Sequence, residues 1–170
     1  ISLGKEDGGF DSYEEIKHVI SKMESFCSKM NFPLPYFLVV RTGNHVMELQ
    51  NVGSFESIFL DKNQATSKTN LLKIIELCNK HQIRIKEHNT DYLSDKALQI
   101  HPEIGIHAAN VAPEFAVVET RAFLSLLKKN QLETELEKFI DISYSSKKWE
   151  KWMLDNSQLG KQEKAIISGH

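Results

Sequence analysis

Little in this sequence is extreme, and what it has little of narrows its function. Only two cysteines occur in 170 residues, Cys27 and Cys78. Each falls on the apolar face of an expected helix, which reads as a reduced core residue of a cytoplasmic protein rather than half of a disulfide. A basic excess is missing as well: 21 Lys and Arg face 23 Asp and Glu, the net charge is −2, and no basic block stands out. Proteins that track a phosphate backbone need such a block, so a nucleic-acid partner is not expected. Long apolar runs are also absent. "YFLVV" (Tyr36 to Val40) is typical of the longest, far short of the roughly 20 residues of a membrane span, and no signal peptide opens the given sequence. No membrane partner is expected. The given sequence begins at "ISLG" and stops at "KAIISGH", in or beside apolar elements, and both ends are expected to continue.

Hydrophobic residues make up 41% and charged residues 26%, enough for an ordinary globular core. Ile1 to Gly4 reads as the end of a strand, followed by the glycine-rich turn "GKEDGGFDS". Ile16, Val19, Ile20, Met23, Cys27 and Met30 recur at helical spacing, with Asp11 or Ser12 as N-cap. "FPLP" stops that helix, and "YFLVVRTG" follows as an apolar strand expected to be buried on both faces. The stretch from Asn44 to Thr69 shows weak periodicity and several turn formers, which reads as a long loop or an ordered excursion. Leu71, Ile74, Ile75 and Cys78 mark the next helix, "IRIKEHNT" the next strand, and Ser94 to Ile100 a short helix closed by Pro102. "IGIHAANV" is a further strand, and Pro113 opens a helix whose stripe is Phe115, Val118, Ala122, Phe123 and Leu126. From Gln131 onward two or three amphipathic helices are expected, with Trp149, Trp152 and Met153 on one face as core or interface anchors.

Strict alternation of strand and helix implies right-handed crossovers and a parallel sheet. About four βα units are half of a (β/α)8 barrel or a small doubly wound sheet, and "GKEDGG" lacks the spacing of a dinucleotide-binding turn. The expected fold is therefore α/β of TIM-barrel type: residues 1–130 form the C-terminal half of a barrel and 131–170 a trailing helical region.

In such a barrel the working residues stand at the C-terminal ends of strands. Those ends collect Lys5, Glu6 and Asp7; Thr42, Asn44 and His45; Glu87 through Asp91; and His107, Asn110 and Glu114. His45 and His88 are two imidazoles from neighbouring strands, able to share a divalent ion if a third ligand completes the shell; the alternative is that each only hydrogen-bonds within its loop. Asn89, Thr90 and Asp91 suit sugar hydroxyls but equally suit turn chemistry. His107 is expected between strand and helix. His81 and His101, beside a helix end and a proline turn, read as surface or capping residues.

"EHNTDYL", followed by "IGIHAANVAPEFAVVETRAF", resembles the tagatose-bisphosphate aldolase non-catalytic-subunit-like family, whose members carry a strand ending in Ala-His-Ser-Thr-Asp-Tyr. "ISLGKEDGG", "YFLVVRTGNHVMEL", "SSKKWEKWM" and "KAIISGH" extend the likeness over nearly the whole chain. The resemblance implies strands five to eight of a class II aldolase-like barrel, with zinc or another divalent metal at His45 and His88. It implies substrate contacts from Lys5, Asn89, Thr90, Asp91 and Asn110, and a third metal ligand and a general acid/base outside this chain. The paired glycines that follow the histidine in true aldolases are replaced by Asn89 and Thr90, and the usual turn after strand eight is replaced by "NVAPEF". The implied activity is that of a metal-dependent lyase on a ketose (bis)phosphate or related sugar. The alternatives are a non-catalytic subunit that stabilises a partner aldolase, and a sugar isomerase or epimerase. The expected partners are a sugar or sugar phosphate and either another copy of the chain or an aldolase-type subunit.

Overall fold

A computed structural model describes residues 9–60 and 65–169. Lys5 and the strand expected at Ile1 to Gly4 lie outside them. The first helix, α1 (Tyr13–Met30), starts where the sequence places it, on a Ser12 capping box. Glu15 N–H donates to Ser12 Oγ at 3.2 Å, and Ser12 N–H donates back to Glu15 Oε2 at 2.9 Å, so two helix-end donors are satisfied reciprocally. Asn31, in the left-handed region at φ 54°, ends the helix by donating to Cys27 and Ser28 carbonyls.

The chain continues through β1 (Phe37–Val39), a short hairpin of β2 (Val46–Met47) and β3 (Gln50–Asn51), α2 (Phe55–Leu60), α3 (Ala65–Lys80), β4 (Arg84–Glu87), α4 (Asp95–Ile104) and β5 (Ile106–Ala109). β1, β4 and β5 form a three-stranded parallel sheet in that order. The fold is therefore mixed α/β, and its parallel strands are laid down in chain order. The register sets Leu38 beside Ile85 and Ile85 beside Ile106. This row meets Ile16 and Ile20 of α1 and Leu71, Ile74 and Cys78 of α3 in one core, together with Phe55 of α2.

Two expectations are revised here, and a third is narrowed. Burial alternates along β1 instead of covering both faces: Leu38 and Val40 are buried, while Phe37 and Val39 are only half-buried. The described strands thus have one well-covered face. Of the two readings of the stretch from Asn44 to Thr69, the ordered excursion holds and the long loop does not: its described residues form the hairpin, α2 and the start of α3. Pro102 does not close α4; the helix runs to Ile104 and ends on Gly105 at φ 99°, whose N–H donates to the His101 carbonyl. Proline fits helical φ and costs one backbone bond, and the buried His101 beside it is held by Glu87 of β4.

Two compact units divide the chain, Ile1–His45 with Asn51–Asn110, and Val46–Gln50 with Val111–His170. The second contains α5 (Pro113–Lys129), α6 (Glu133–Ser145), a 3-10 turn (Glu150–Trp152) and α7 (Lys161–Ile167). Its core joins Val117 and Leu124 of α5 to Ile166 of α7, with Phe139 of α6 packed against them. The expected α5 stripe is not the buried one. Val117, Leu124 and Leu127 face inward, while Phe115, Val118 and Leu126 are 68%, 59% and 58% exposed. Trp149 and Trp152 lie in a turn rather than on one helix face; Trp149 stacks on Tyr144 at 5.3 Å and donates from Nε1 to the Tyr144 carbonyl.

Ile85 touches both neighbouring strands in the buried row. Ile85→Ala is expected to lower unfolding free energy by about 2–5 kcal/mol, and Ser12→Ala by about 1 kcal/mol, both read from urea denaturation midpoints.

Candidate functional site

Strand alternation puts every second residue of β4 on the covered face: Ile83, Ile85, then Glu87. A carboxyl group in that row leaves water entirely, and Glu87 is 0% exposed. Such a group persists only when paired and hydrogen-bonded. Here three partners come from two places in the fold. Thr42 and Asn44, just beyond β1, donate to Glu87 Oε1, Asn44 Nδ2 at 2.5 Å. His101 of α4 turns Nε2 toward Glu87 Oε2. The other ring nitrogen, Nδ1, donates to the Ala97 carbonyl at 2.7 Å, which requires a proton on Nδ1. One further proton must then lie between Nε2 and the carboxyl, because two bare lone pairs facing each other in a dry site would repel. The imidazole also packs on the Phe55 ring, with centroids 4.6 Å apart.

Burial first, against the opposing pull of its hydrogen-bond partners, pushes the Glu87 pKa up. Burial acts to lower that of His101, but the Glu87 carboxyl outweighs it and the histidine value is raised. Both shifts favour the form in which a proton lies between the two groups. This revises the expectation for His101, which is a buried partner of β4 rather than a surface or capping residue. His81 sits half-buried at the end of α3, its Nδ1 2.6 Å from Glu24 Oε1 of α1. His107 accepts from Ile85 N–H at 3.3 Å through Nδ1, beside the register shift between β4 and β5.

Beyond Glu87 the chain passes through His88, Asn89, Thr90 and Asp91. Asn89 and Tyr92 both take φ 60°, a region glycine fills readily and asparagine tolerates. Thr90 and Asp91 are buried. The Thr90 hydroxyl donates to the Asn110 carbonyl at 2.5 Å, and Asn110 N–H donates to the Glu87 carbonyl at 3.0 Å, so the exits of β4 and β5 are laced together. His45, His88 and Asn89 are half-buried, and Asn110 is exposed.

The loop after β1 reaches this segment through Asn51. Its Oδ1 accepts from Gly53 N–H at 3.0 Å and His45 N–H at 3.4 Å; its Nδ2 donates to the carbonyls of Asn89 at 2.8 Å and Asp91 at 3.0 Å. Gly53 is forced by close approach, since a Cβ there would stand 2.1 Å from the Gly43 carbonyl oxygen. The structure thus ties the loop bearing His45 to the loop bearing Asn89 and Asp91. Among the described residues no group of three His, Cys, Asp or Glu side chains is placed to hold a metal ion. A groove of about 1130 Å3 lies elsewhere, lined by residues of α1 and α3 such as Tyr13, Asn70, Lys73 and Glu76; none of its lining comes from a strand end. No helix among the described residues is long and apolar enough to cross a membrane.

No family model, curated protein or solved structure matches this chain.

The strand-end reading collected Glu87 without giving it a role in the core, and it passed over Asn51 and His101. A signal for the first was present: Ile83, Ile85 and Glu87 at alternate positions put a carboxyl on the apolar face of a strand. Ala97 and His101, one helical turn apart, supplied the matching face of α4. Asn51 had no such signal, because its partners are backbone groups distant in sequence.

The raised His101 pKa means that its stabilisation is complete below the unfolded histidine value of about 6.5 and is lost as pH rises through the folded value. The raised Glu87 pKa acts in the same direction, since the folded pair binds more protons than the unfolded one. The urea midpoint is expected to fall as pH rises from about 6.5 through the raised folded value of His101, and to fall less steeply in a Glu87→Gln, His101→Gln double variant. His101→Ala alone, leaving a buried carboxyl without its partner, is expected to cost about 3–5 kcal/mol at pH 6.5.

Proposed function

We propose that this chain is the sugar-binding half of an aldolase-like (β/α) barrel protein, and that it holds a ketose phosphate or related sugar at the C-terminal ends of its parallel strands. The observation that carries this reading is the convergence there of the β1, β4 and β5 exits, with the loops of His45 and of Asn89 to Asp91 tied by Asn51. Ligand sites of parallel α/β folds occupy that end because helix-capped loops gather there. The in-order strands and the half-covered second sheet face also suit a segment of a larger barrel, whose interior would be closed by further strands.

In this reading His45, His88, Asn89 and Asn110 meet the sugar oxygens, and Lys5, outside the described residues, adds a cation. Thr90 acts one step back, because its hydroxyl is spent on Asn110. Asp91 shapes the loop from a buried position. A divalent ion such as zinc belongs to the proposal in one form only. His45 and His88 would supply two imidazoles, and the remaining ligands and the general acid/base would come from residues outside this chain. When bound, such an ion polarises a ketose carbonyl. The described residues do not complete its shell, so what this chain does by itself is bind and orient hydroxyls.

A second reading, a non-catalytic subunit supporting a partner aldolase, draws on the exposed apolar residues of α5, since side chains such as Phe115 and Val118 are normally covered in a working assembly.

Calorimetric titration with a ketose phosphate, with and without Zn2+, tests the first reading. His45→Ala with His88→Ala is expected to weaken binding by about tenfold or more. Unchanged binding of sugar and metal in the double variant would sink it. Unaided turnover of a ketose phosphate by the purified protein would exclude the non-catalytic reading.

A further inference from the structure

We infer that Asn51 is a positioning residue: its side-chain amide sets the distance and register between the two loops that would meet the ligand. This rests on the reading above that both loops face one sugar.

The amide is used to capacity, accepting twice and donating twice. Its acceptor side fixes its own loop, through Gly53 N–H and His45 N–H, and so places the backbone from which His45 projects. Its donor side fixes the other loop, through the carbonyls of Asn89 and Asp91. Those carbonyls flank a segment that does not hold its shape cheaply. Asn89 and Tyr92 both sit at φ 60° without being glycine, and such residues persist only where their surroundings over-determine them. Thr90, between the two bonded carbonyls, is itself anchored to Asn110, just past β5. The segment is therefore held both by Asn110 and by Asn51.

Aspartate at this position separates the two functions of the amide. Its carboxylate keeps an acceptor for Gly53 and His45 but turns an oxygen toward the carbonyls of Asn89 and Asp91, where two donors stood. Asn51→Asp should free the second loop and leave the first in place; Asn51→Ala should free both.

Hydrogen exchange resolved by residue on the full chain reads this directly, at Thr90 N–H for the second loop and at Val52 N–H, which donates to the His45 carbonyl, for the first. In Asn51→Ala both amides are expected to exchange about tenfold faster or more; in Asn51→Asp only Thr90 does. Affinity for dihydroxyacetone phosphate, the probe, should fall about tenfold in both variants. Ile16→Val, a core change in the same unit with a comparable loss of stability, should leave it unchanged. Exchange at Thr90 equal to wild type, or raised uniformly across the chain, overturns the inference, as does an equal affinity loss in Ile16→Val. A wild-type chain that binds no probe defeats the sugar-site reading instead, and the exchange pattern then still decides whether Asn51 ties the loops.

Discussion

The structure turns on one carboxyl group that has no business in a core. Glu87 ends β4 on the covered face of the sheet, entirely out of water, and an isolated carboxylate there would cost several kcal/mol. Its environment answers that cost with Thr42 and Asn44 from the exit of β1 and His101 from α4. Two partners come from the exit of β1 and one from α4, so satisfying the carboxyl ties the end of β1 to α4 and sets which way the His101 ring turns. Replacing the group with a hydrophobe of equal volume would remove the penalty together with the bonds to Thr42, Asn44 and His101.

Above that group the same logic continues with weaker interactions. Asn110 donates to the Glu87 carbonyl, Thr90 donates to the Asn110 carbonyl, and Asn51 donates to the carbonyls on either side of Thr90. Loop backbone with few regular partners is thus paired one bond at a time. Past these bonded groups stand His45, His88 and Asn89, each half-buried. Rigid support beneath polar groups is what a site needs to hold a hydroxyl in one orientation.

The elements read from the sequence have different histories. α1 was legible from its cap and most of its stripe, which are local signals, although Met30 at the end of that stripe is exposed and Asn31 makes the C-cap. The parallel sheet followed from alternation of element types, and the strand ends followed from the sheet. Pro102 was misleading, because a local breaker signal met the tertiary anchoring of His101. The α5 stripe was misleading in another way: that helix carries apolar residues on two faces, and periodicity cannot say which one a neighbour covers. His101 looked like a surface histidine from its proline neighbour, when its spacing from Ala97 was the better guide.

What the sequence determined by itself is the set of local conformations and the order of strands and helices, since capping, periodicity and proline act within a few residues. It also confined the polar groups to one end of the strands. Tertiary structure alone decided which of those groups are consumed in holding the fold and which stand at its surface. Thr42, Asn44, Glu87 and Thr90 spend their hydrogen bonds inward, and Asn51 joins loops 38 or more residues apart in the chain. A hydrogen bond depends on distances of a few tenths of an ångström, and those are set only when the elements pack.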